Sequence, residues 1–152
     1  MRRYSAPAMI LAMLAPAGNP IQVFPEEVVW GPAPPSLPPG AQAAVLEGDP
    51  KTAGVFTLRM KIPAGYRLDA HTHVADERVT VLSGSIHVGF GDVLDTNPAK
   101  SKTFGPGSFY VNPTPQPHYV WTDAETVIQI TGMGPWTLTY VDPARDPRAT
   151  KK

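Results

Sequence analysis

Three histidines and one glutamate have the residue types and the spacing of a metal site. His71 and His73 are two positions apart, Glu77 follows four residues later, and His118 comes after a proline-rich turn. Side chains two positions apart on a β-strand project from the same face, so His71 and His73 can bind one ion together. We expect Glu77 to return to that face after a bend and His118 to supply a fourth ligand from a later strand.

This ligand set suits a divalent transition metal. The chain has no cysteine, so only His, Asp or Glu can hold an ion. Imidazole and carboxylate ligands suit Fe(II), Mn(II), Ni(II), Cu(II) and Zn(II), and an octahedral ion with four protein ligands keeps two positions open. We expect one ion per chain, with Fe(II) or Mn(II) preferred to the other three. Glu77 is also the candidate catalytic residue, as a ligand that shuttles a proton if it detaches.

Each of these residues also has an ordinary structural interpretation. A single histidine on a strand is more often hydrogen-bonded or at the surface than bound to a metal. Glu77 precedes Arg78, and an exposed ion pair between such neighbours contributes little stability. The combined spacing favours the metal site, and it leaves His87 as the one histidine outside it.

The surrounding sequence predicts the short strands that must position these ligands. Residues 56–62 alternate between apolar and polar side chains, which is typical of a half-buried strand. Nineteen prolines and thirteen glycines are too many for long helices. We predict an all-β sandwich or barrel, with a polar hairpin loop over 92–102 and further strands over 77–82, 85–90, 108–112, 118–122, 126–131 and 136–141.

Two motifs in this region resemble those of the cupin superfamily. Five residues match every position of the first motif, G-x5-H-x-H-x3-E-x6-G: Gly65, His71, His73, Glu77 and Gly84. Three residues match the second motif, G-x5-P-x-G-x2-H-x3-N: Gly107, Pro113 and His118. Pro115 stands where that motif has glycine, and Thr122 stands where it has asparagine.

The chain therefore resembles a small single-domain bacterial cupin with a leader peptide. The resemblance implies a double-stranded β-helix, the small jelly-roll barrel, with the ion inside its open end bound by His71, His73, Glu77 and His118. It also implies a metal-dependent enzyme acting on a small organic substrate, of the dioxygenase, isomerase, lyase or cyclase kind. The alternative is a non-catalytic cupin that binds or senses a small molecule at its metal.

Four further residues lie close to the ligands in sequence and are candidates for lining the mouth of the pocket: Tyr66, Gln116, Tyr119 and Trp121. Aromatic residues at such positions are as often part of the packing. By strand parity Val79 and Val81 follow Glu77 inward, and Val120 follows His118. We therefore name no acid or base apart from the ligands.

The ends of the chain differ in composition from this central part. Residues 1–17 pair Arg2-Arg3 with an apolar run and an Ala15-Pro16-Ala17 sequence, which predicts a signal peptide and export to the periplasm or the medium. If the segment is not a signal peptide, the protein is cytoplasmic. We expect an extended proline-rich arm and the first strands over 18–54, the barrel over 55–143, and a surface or disordered tail over 144–152. Val28, Val29 and Trp30 are the expected anchors of the arm.

Charge and hydropathy exclude several classes of partner. Thirteen basic and thirteen acidic residues give a net charge of zero, so the positive field of a nucleic-acid-binding protein is missing. No apolar stretch reaches the roughly 18 to 20 residues that span a bilayer. We expect a small-molecule substrate or ligand, and a homodimer formed through an outer sheet face with help from the Trp30 arm.

Overall fold

Strands and tight turns make up most of residues 18–149, the part of the chain that the computed structural model describes. The expected signal peptide over 1–17 and the last three residues lie outside it. The strands are β1 (Gly31–Pro32), β2 (Gln42–Glu47), β3 (Gly54–Ile62), β4 (Arg67–His73), β5 (Glu77–Ser83), β6 (Ile86–Phe90), β7 (Ser101–Phe104), β8 (Phe109–Asn112), β9 (His118–Trp121), β10 (Thr126–Gly134) and β11 (Leu138–Tyr140). Short 3-10 helices occupy Pro25–Glu27, Pro98–Lys100 and Pro143–Arg145.

The strands form two antiparallel sheets that face each other. The first sheet has the order β1-β2-β3-β10-β5-β8, and the second has the order β11-β4-β9-β6-β7. From β3 to β6 the chain passes from one sheet to the other at every step, which winds it into a double-stranded β-helix. The predicted all-β jelly-roll barrel is confirmed.

The core lies between the two sheets because their strands alternate in polarity. On β3 the side chains of Phe56, Leu58, Met60 and Ile62 are all buried, as the alternating pattern predicted. Val79 and Val81 of β5 are buried among them. Each large aliphatic side chain buried in this way contributes about 1.5–3 kcal/mol, which is how two sheets with polar outer faces stay together.

The segment over 92–102 differs from its prediction as a hairpin loop. It contains the 3-10 helix Pro98–Lys100, and β7 begins at Ser101 and pairs with β6. This strand has the sequence Ser-Lys-Thr-Phe and lies at the edge of the second sheet, where its polar side chains stay in solvent. An edge strand of this kind carries too weak a hydrophobic pattern to be recognised in the sequence.

The proline-rich arm is attached by more residues than the three that were expected. Its first strand, β1, has only two residues and pairs with β2. Val29 is 85% exposed, so it is not an anchor, and Trp30 is half-buried beneath the Lys61 ammonium at 4.6 Å. Leu37 and Ala41 are buried residues of the arm, and both join the main core.

The described part of the tail lies on the surface, where Arg148 donates a hydrogen bond to the carbonyl of Leu138 at 3.2 Å. Among residues 18–149, no helix is both long enough and apolar enough to cross a membrane.

Candidate metal centre

Two neighbouring strands of the second sheet bring three histidines together. His71 and His73 lie on β4, and His118 is the first residue of β9, directly opposite His71 in the register. Ring centroids are 4.3 Å apart for His71 and His118, 5.0 Å for His71 and His73, and 5.2 Å for His73 and His118. All three side chains are buried, and their potential ligand nitrogens lie within 4.8 Å of one another.

The hydrogen bonds of the three rings leave the opposite nitrogens free to bind a metal. Nδ1 of His71 contacts the carbonyl of Asp69 at 2.8 Å, and Nδ1 of His73 contacts that of Thr137 at 3.0 Å. Nδ1 of His118 is 3.4 Å from the carbonyl of Gln116. Because a carbonyl can only accept, each Nδ1 donates a proton to it, and in a neutral ring the lone pair then lies on Nε2. This arrangement is characteristic of metal-binding histidines.

Two of these Nε2 atoms are buried without a hydrogen bond, and a metal ion would satisfy them. Among the described residues, Nε2 of His73 and Nε2 of His118 have no hydrogen-bond partner. A buried polar atom without a partner costs about 1–3 kcal/mol, so native proteins rarely leave two side by side. The residues present therefore fit a divalent ion bound by imidazole.

Glu77 approaches the histidines from the opposite sheet. It is the first residue of β5, and its Oε2 lies 3.6 Å from Nε2 of His73 and 3.5 Å from Nε2 of His118. Two ligands about 2.1 Å from a common ion lie roughly 3 to 4 Å apart, so this spacing suits shared coordination. Asn112, opposite Glu77 in the β5–β8 register, donates a 2.8 Å hydrogen bond from Nδ2 to the same oxygen.

The surroundings of these groups favour the protonation states that bind metal. Burial, followed by the neighbouring His118 and His73, lowers the pKa of His71 to about 3, and burial also lowers that of His73. Burial alone would raise the pKa of Glu77, but the adjacent His73 and His118 and the Asn112 hydrogen bond hold it at about 2. At neutral pH His71 and His73 are therefore neutral and Glu77 is a carboxylate.

The four groups face a narrow and mostly apolar cavity inside the barrel. Its volume is about 40 Å³. Besides the candidate ligands, its wall consists of Leu37, Met60, Ile62, Tyr66, Leu68, Ile86, Tyr110, Val120, Ile128, Ile130, Trp136 and Leu138.

Residues 23–138 match a family described as a domain of unknown function, DUF4437. The chain belongs to the DUF4437 family.

Solved structures give this DUF4437 domain its fold class. It is similar to a putative acetylacetone dioxygenase from Methylibium petroleiphilum PM1, with 24% identity, 90% of this chain and 91% of the other covered, and a TM-score of 0.65. The acetylacetone dioxygenase from Acinetobacter johnsonii shares 18% identity over 90% of this chain and 86% of its own, with a TM-score of 0.64. The polyketide cyclase RemF from Streptomyces resistomycificus shares 16% identity over 83% of this chain and 88% of its own, with a TM-score of 0.62.

These similarities confirm that the DUF4437 domain has the double-stranded β-helix fold that the two motifs implied. At these identities they establish the fold alone. No curated protein matches the chain.

The four residues expected at the mouth of the pocket divide between two sides of the second sheet. Tyr66 lines the cavity of the DUF4437 domain. Gln116 is exposed, and only its carbonyl approaches the site, through His118. Tyr119 and Trp121 pack outside the cavity in a separate cluster with Ala70, because they alternate with His118 and Val120 along β9. The expectation of a pocket role for Tyr119 and Trp121 is therefore corrected.

Sequence reasoning missed two polar residues that contact the candidate ligands. Asn112 orients Glu77, and its own Oδ1 is buried without a partner among the described residues. Trp136 stacks on His73 with ring centroids 4.5 Å apart and an interplanar angle of 15°, and its indole Nε1 is buried without a partner among those residues. Asn112 was detectable as an inward position of β8, two residues after the buried Tyr110. Trp136 lies in the turn before β11, where the alternation of inward and outward side chains along a strand does not apply.

Proposed function

We propose that this protein is a metal-dependent enzyme acting on a small organic substrate that binds the metal through two oxygens. The supporting observation is the convergence of three imidazole Nε2 atoms and the Glu77 carboxylate at the wall of an apolar cavity. Four protein ligands leave two positions on an octahedral ion, enough for a bidentate substrate.

The proposed substrates are compact 1,3-dicarbonyl compounds. Two proteins of similar fold are described as acetylacetone dioxygenases and one as a polyketide cyclase. Acetylacetone is a 1,3-diketone, and polyketide chains carry carbonyl groups on alternate carbons, so both present two oxygens at a chelating distance. A cavity of about 40 Å³ holds roughly three water-sized groups, which limits the substrate to the smallest dicarbonyl compounds.

The protein's own residues would bind the ion, orient the substrate and exclude water. His71, His73 and His118 would hold the ion, which would act as a Lewis acid and template for the two oxygens. The apolar wall keeps bulk water from the reacting carbon atoms. The indole N–H of Trp136 borders the cavity and has no partner within residues 18–149, so it is available to donate a hydrogen bond to a substrate oxygen.

We assign Glu77 the role of an anionic ligand. Its low pKa makes it a weak base, and the Asn112 hydrogen bond orients its carboxylate toward His73 and His118. The proton-shuttle role that the sequence suggested for Glu77 stays a prediction.

A non-catalytic binding function is the second candidate, and the chemistry of the cavity wall favours it. Apart from the candidate ligands, the titratable residues that the described part of the chain gives to the wall are two tyrosines, Tyr66 and Tyr110. Burial raises the pKa of both phenols, so neither ionises near neutral pH. Such a site would bind a chelating ligand without transforming it.

Oxygen consumption distinguishes the two candidates. Cleavage of a 1,3-diketone by one dioxygen to a carboxylic acid and a 2-oxoaldehyde balances without another reductant. We expect the Fe(II)-loaded full chain to consume one dioxygen per acetylacetone, His118→Ala to consume none, and His87→Ala to behave as the wild type. Binding of acetylacetone without consumption of either compound would support the non-catalytic function. Failure to bind it with Fe(II), Mn(II) or Ni(II) would exclude the proposed substrate class.

A further inference from the structure

A proline-rich segment closes one side of the metal cavity. This strap, residues 33–41, connects β1 to β2 and contains Pro34, Pro35, Pro38 and Pro39. Leu37, near its centre, is 7% exposed, and its side chain forms part of the cavity wall that also includes the three histidines. Most of that wall comes from strands, whereas Leu37 comes from a connecting segment.

Two tyrosine hydroxyls fix the strap on either side of Leu37. Tyr66 donates a 2.9 Å hydrogen bond to the carbonyl of Pro38, and Tyr140 donates one of 2.9 Å to the carbonyl of Ser36. Tyr140 lies opposite His71 in the β11–β4 register, with ring centroids 6.3 Å apart. The side chain between the two hydrogen bonds is therefore held in the wall of the cavity that the candidate metal ligands also line.

The strap also joins the edges of the two sheets. It leads from β1 to β2 at one edge of the first sheet, while Tyr140 belongs to β11 at one edge of the second. Within the strap, Leu37 N–H donates to the carbonyl of Pro34 at 3.0 Å, and Ala33 N–H donates to that of Ala41 at 3.2 Å. With four prolines restricting its backbone, the strap has few alternative conformations in which Leu37 could leave the cavity.

We propose that Leu37 determines the size of the substrate. This inference rests on the proposed function. A cavity of about 40 Å³ has room for roughly three water-sized groups, so a 1,3-dicarbonyl head group at the metal leaves no free space and a longer substituent has to compete with the Leu37 side chain. The protein therefore selects dicarbonyl compounds with short, unbranched substituents, and Tyr66 and Tyr140 act as positioning residues that keep Leu37 in place.

Ligand binding to the Cu(II)-loaded full chain tests this inference without requiring turnover. Dissociation constants are measured by visible absorbance for 2,4-pentanedione, 2,4-hexanedione and 2,4-heptanedione, and in parallel for imidazole and its N-methyl, N-propyl and N-butyl derivatives. We expect the wild type to bind each longer member of a series more weakly, by about tenfold per added methylene once space runs out. Leu37→Ala should remove most of that decline, and Leu37→Phe should steepen it.

Leu58→Ala is the matched control, because Leu58 is a buried core leucine that is not part of the cavity wall. It should keep the wild-type order of affinities although it loses the same atoms. Leu37→Val covers the case in which Leu37→Ala does not fold, as judged by circular dichroism and metal content. Tyr66→Phe combined with Tyr140→Phe should give an intermediate decline, together with faster amide hydrogen exchange over 33–41.

The two ligand series separate failure of this inference from failure of the proposed function. If no diketone binds but the alkylimidazoles show the Leu37 dependence, the substrate class is wrong and the size limit stands. If affinity declines with chain length as steeply in Leu37→Ala as in Leu58→Ala, in every series that binds, Leu37 does not determine size and the inference is overturned.

Discussion

The inner and outer faces of the second sheet carry histidines in two different settings. On the inner face, His71, His73 and His118 direct Nδ1 to backbone carbonyls. On the outer face, His87 of β6 has side-chain partners at both nitrogens, with Thr103 Oγ1 2.8 Å from Nδ1 and Asp123 Oδ2 2.9 Å from Nε2. The ring of His87 stacks on Trp121 at 4.8 Å.

The difference shows that the state of the second nitrogen decides what a histidine can do. Backbone carbonyls fix the tautomer of the inner rings and leave Nε2 for a ligand, and burial removes competing water. The His87 ring has no nitrogen left to bind a metal, because both already have side-chain partners. Its Asp123 partner is 78% exposed, so solvent competes with the His87–Asp123 pair. The following predictions test this division, beginning with the largest expected effect.

Removing an inner histidine should abolish metal binding. We expect the wild type to retain close to one divalent ion per chain after dialysis, and His71→Ala or His118→Ala to retain almost none, measured by inductively coupled plasma mass spectrometry. Loss of one of three imidazoles removes a direct ligand and leaves the others unable to hold the ion against dialysis. His87→Ala should keep its metal, and equal losses in inner and outer variants would contradict the division.

Replacing Glu77 tests whether the opposite sheet contributes to the centre. Glu77→Gln keeps the shape of the side chain but removes the negative charge beside His73 and His118. We expect metal affinity to fall by at least about tenfold, since even residues that only orient a ligand cause 10- to 100-fold losses. Competition with a coloured chelator measures this loss, and Glu47→Gln on the exposed end of β2 is the matched control. Unchanged affinity would mean that the histidines alone form the site.

Acidification should destabilise the metal-free protein through its inner histidines. Because the pKa of His71 is about 3 in the folded state and about 6.5 when unfolded, the unfolded chain binds more protons between these values. The contribution of neutral His71 to the free energy of unfolding is therefore fully present above pH 6.5. It declines as the pH falls toward 3, by up to about 1.4 kcal/mol per pH unit. Urea unfolding at several pH values measures the slope. The slope of unfolding free energy against pH should be shallower in His71→Gln. An unchanged slope in that variant would contradict the assignment of this pH dependence to His71.

The contact between Asn112 and Glu77 gives a smaller effect. Asn112→Ala removes the 2.8 Å hydrogen bond that orients the carboxylate. We expect a loss of about tenfold in metal affinity, at the lower end of what such supporting residues cause. Asn97→Ala, which removes an amide that caps an exposed 3-10 helix, should leave affinity unchanged. Identical affinities in the two variants would mean that Glu77 holds its position without help.

Sequence periodicity predicted most of the barrel strands and the shared face of His71 and His73, because both depend on residues that are close along the chain. Parity along β9 could also have placed Tyr119 and Trp121 on the outer face, since they alternate with His118. It could not show that β4 and β5 belong to different sheets, so that Glu77 reaches the site from across the barrel. The burial of Leu37 was hidden because its tyrosine partners are far away in sequence, at positions 66 and 140.

The outer histidine should give the smallest effect, and that result is as informative as the largest. His87→Ala removes two hydrogen bonds and a stacking contact with Trp121. Because Asp123 and Thr103 regain hydrogen bonds to water, we expect the free energy of unfolding to fall by only about 1 kcal/mol. Urea unfolding measures this change, and metal content should equal that of the wild type. A loss of metal would mean that the outer face is coupled to the metal centre through β9. On one side of this strand Trp121 contacts His87, and on the other side His118 contacts His71.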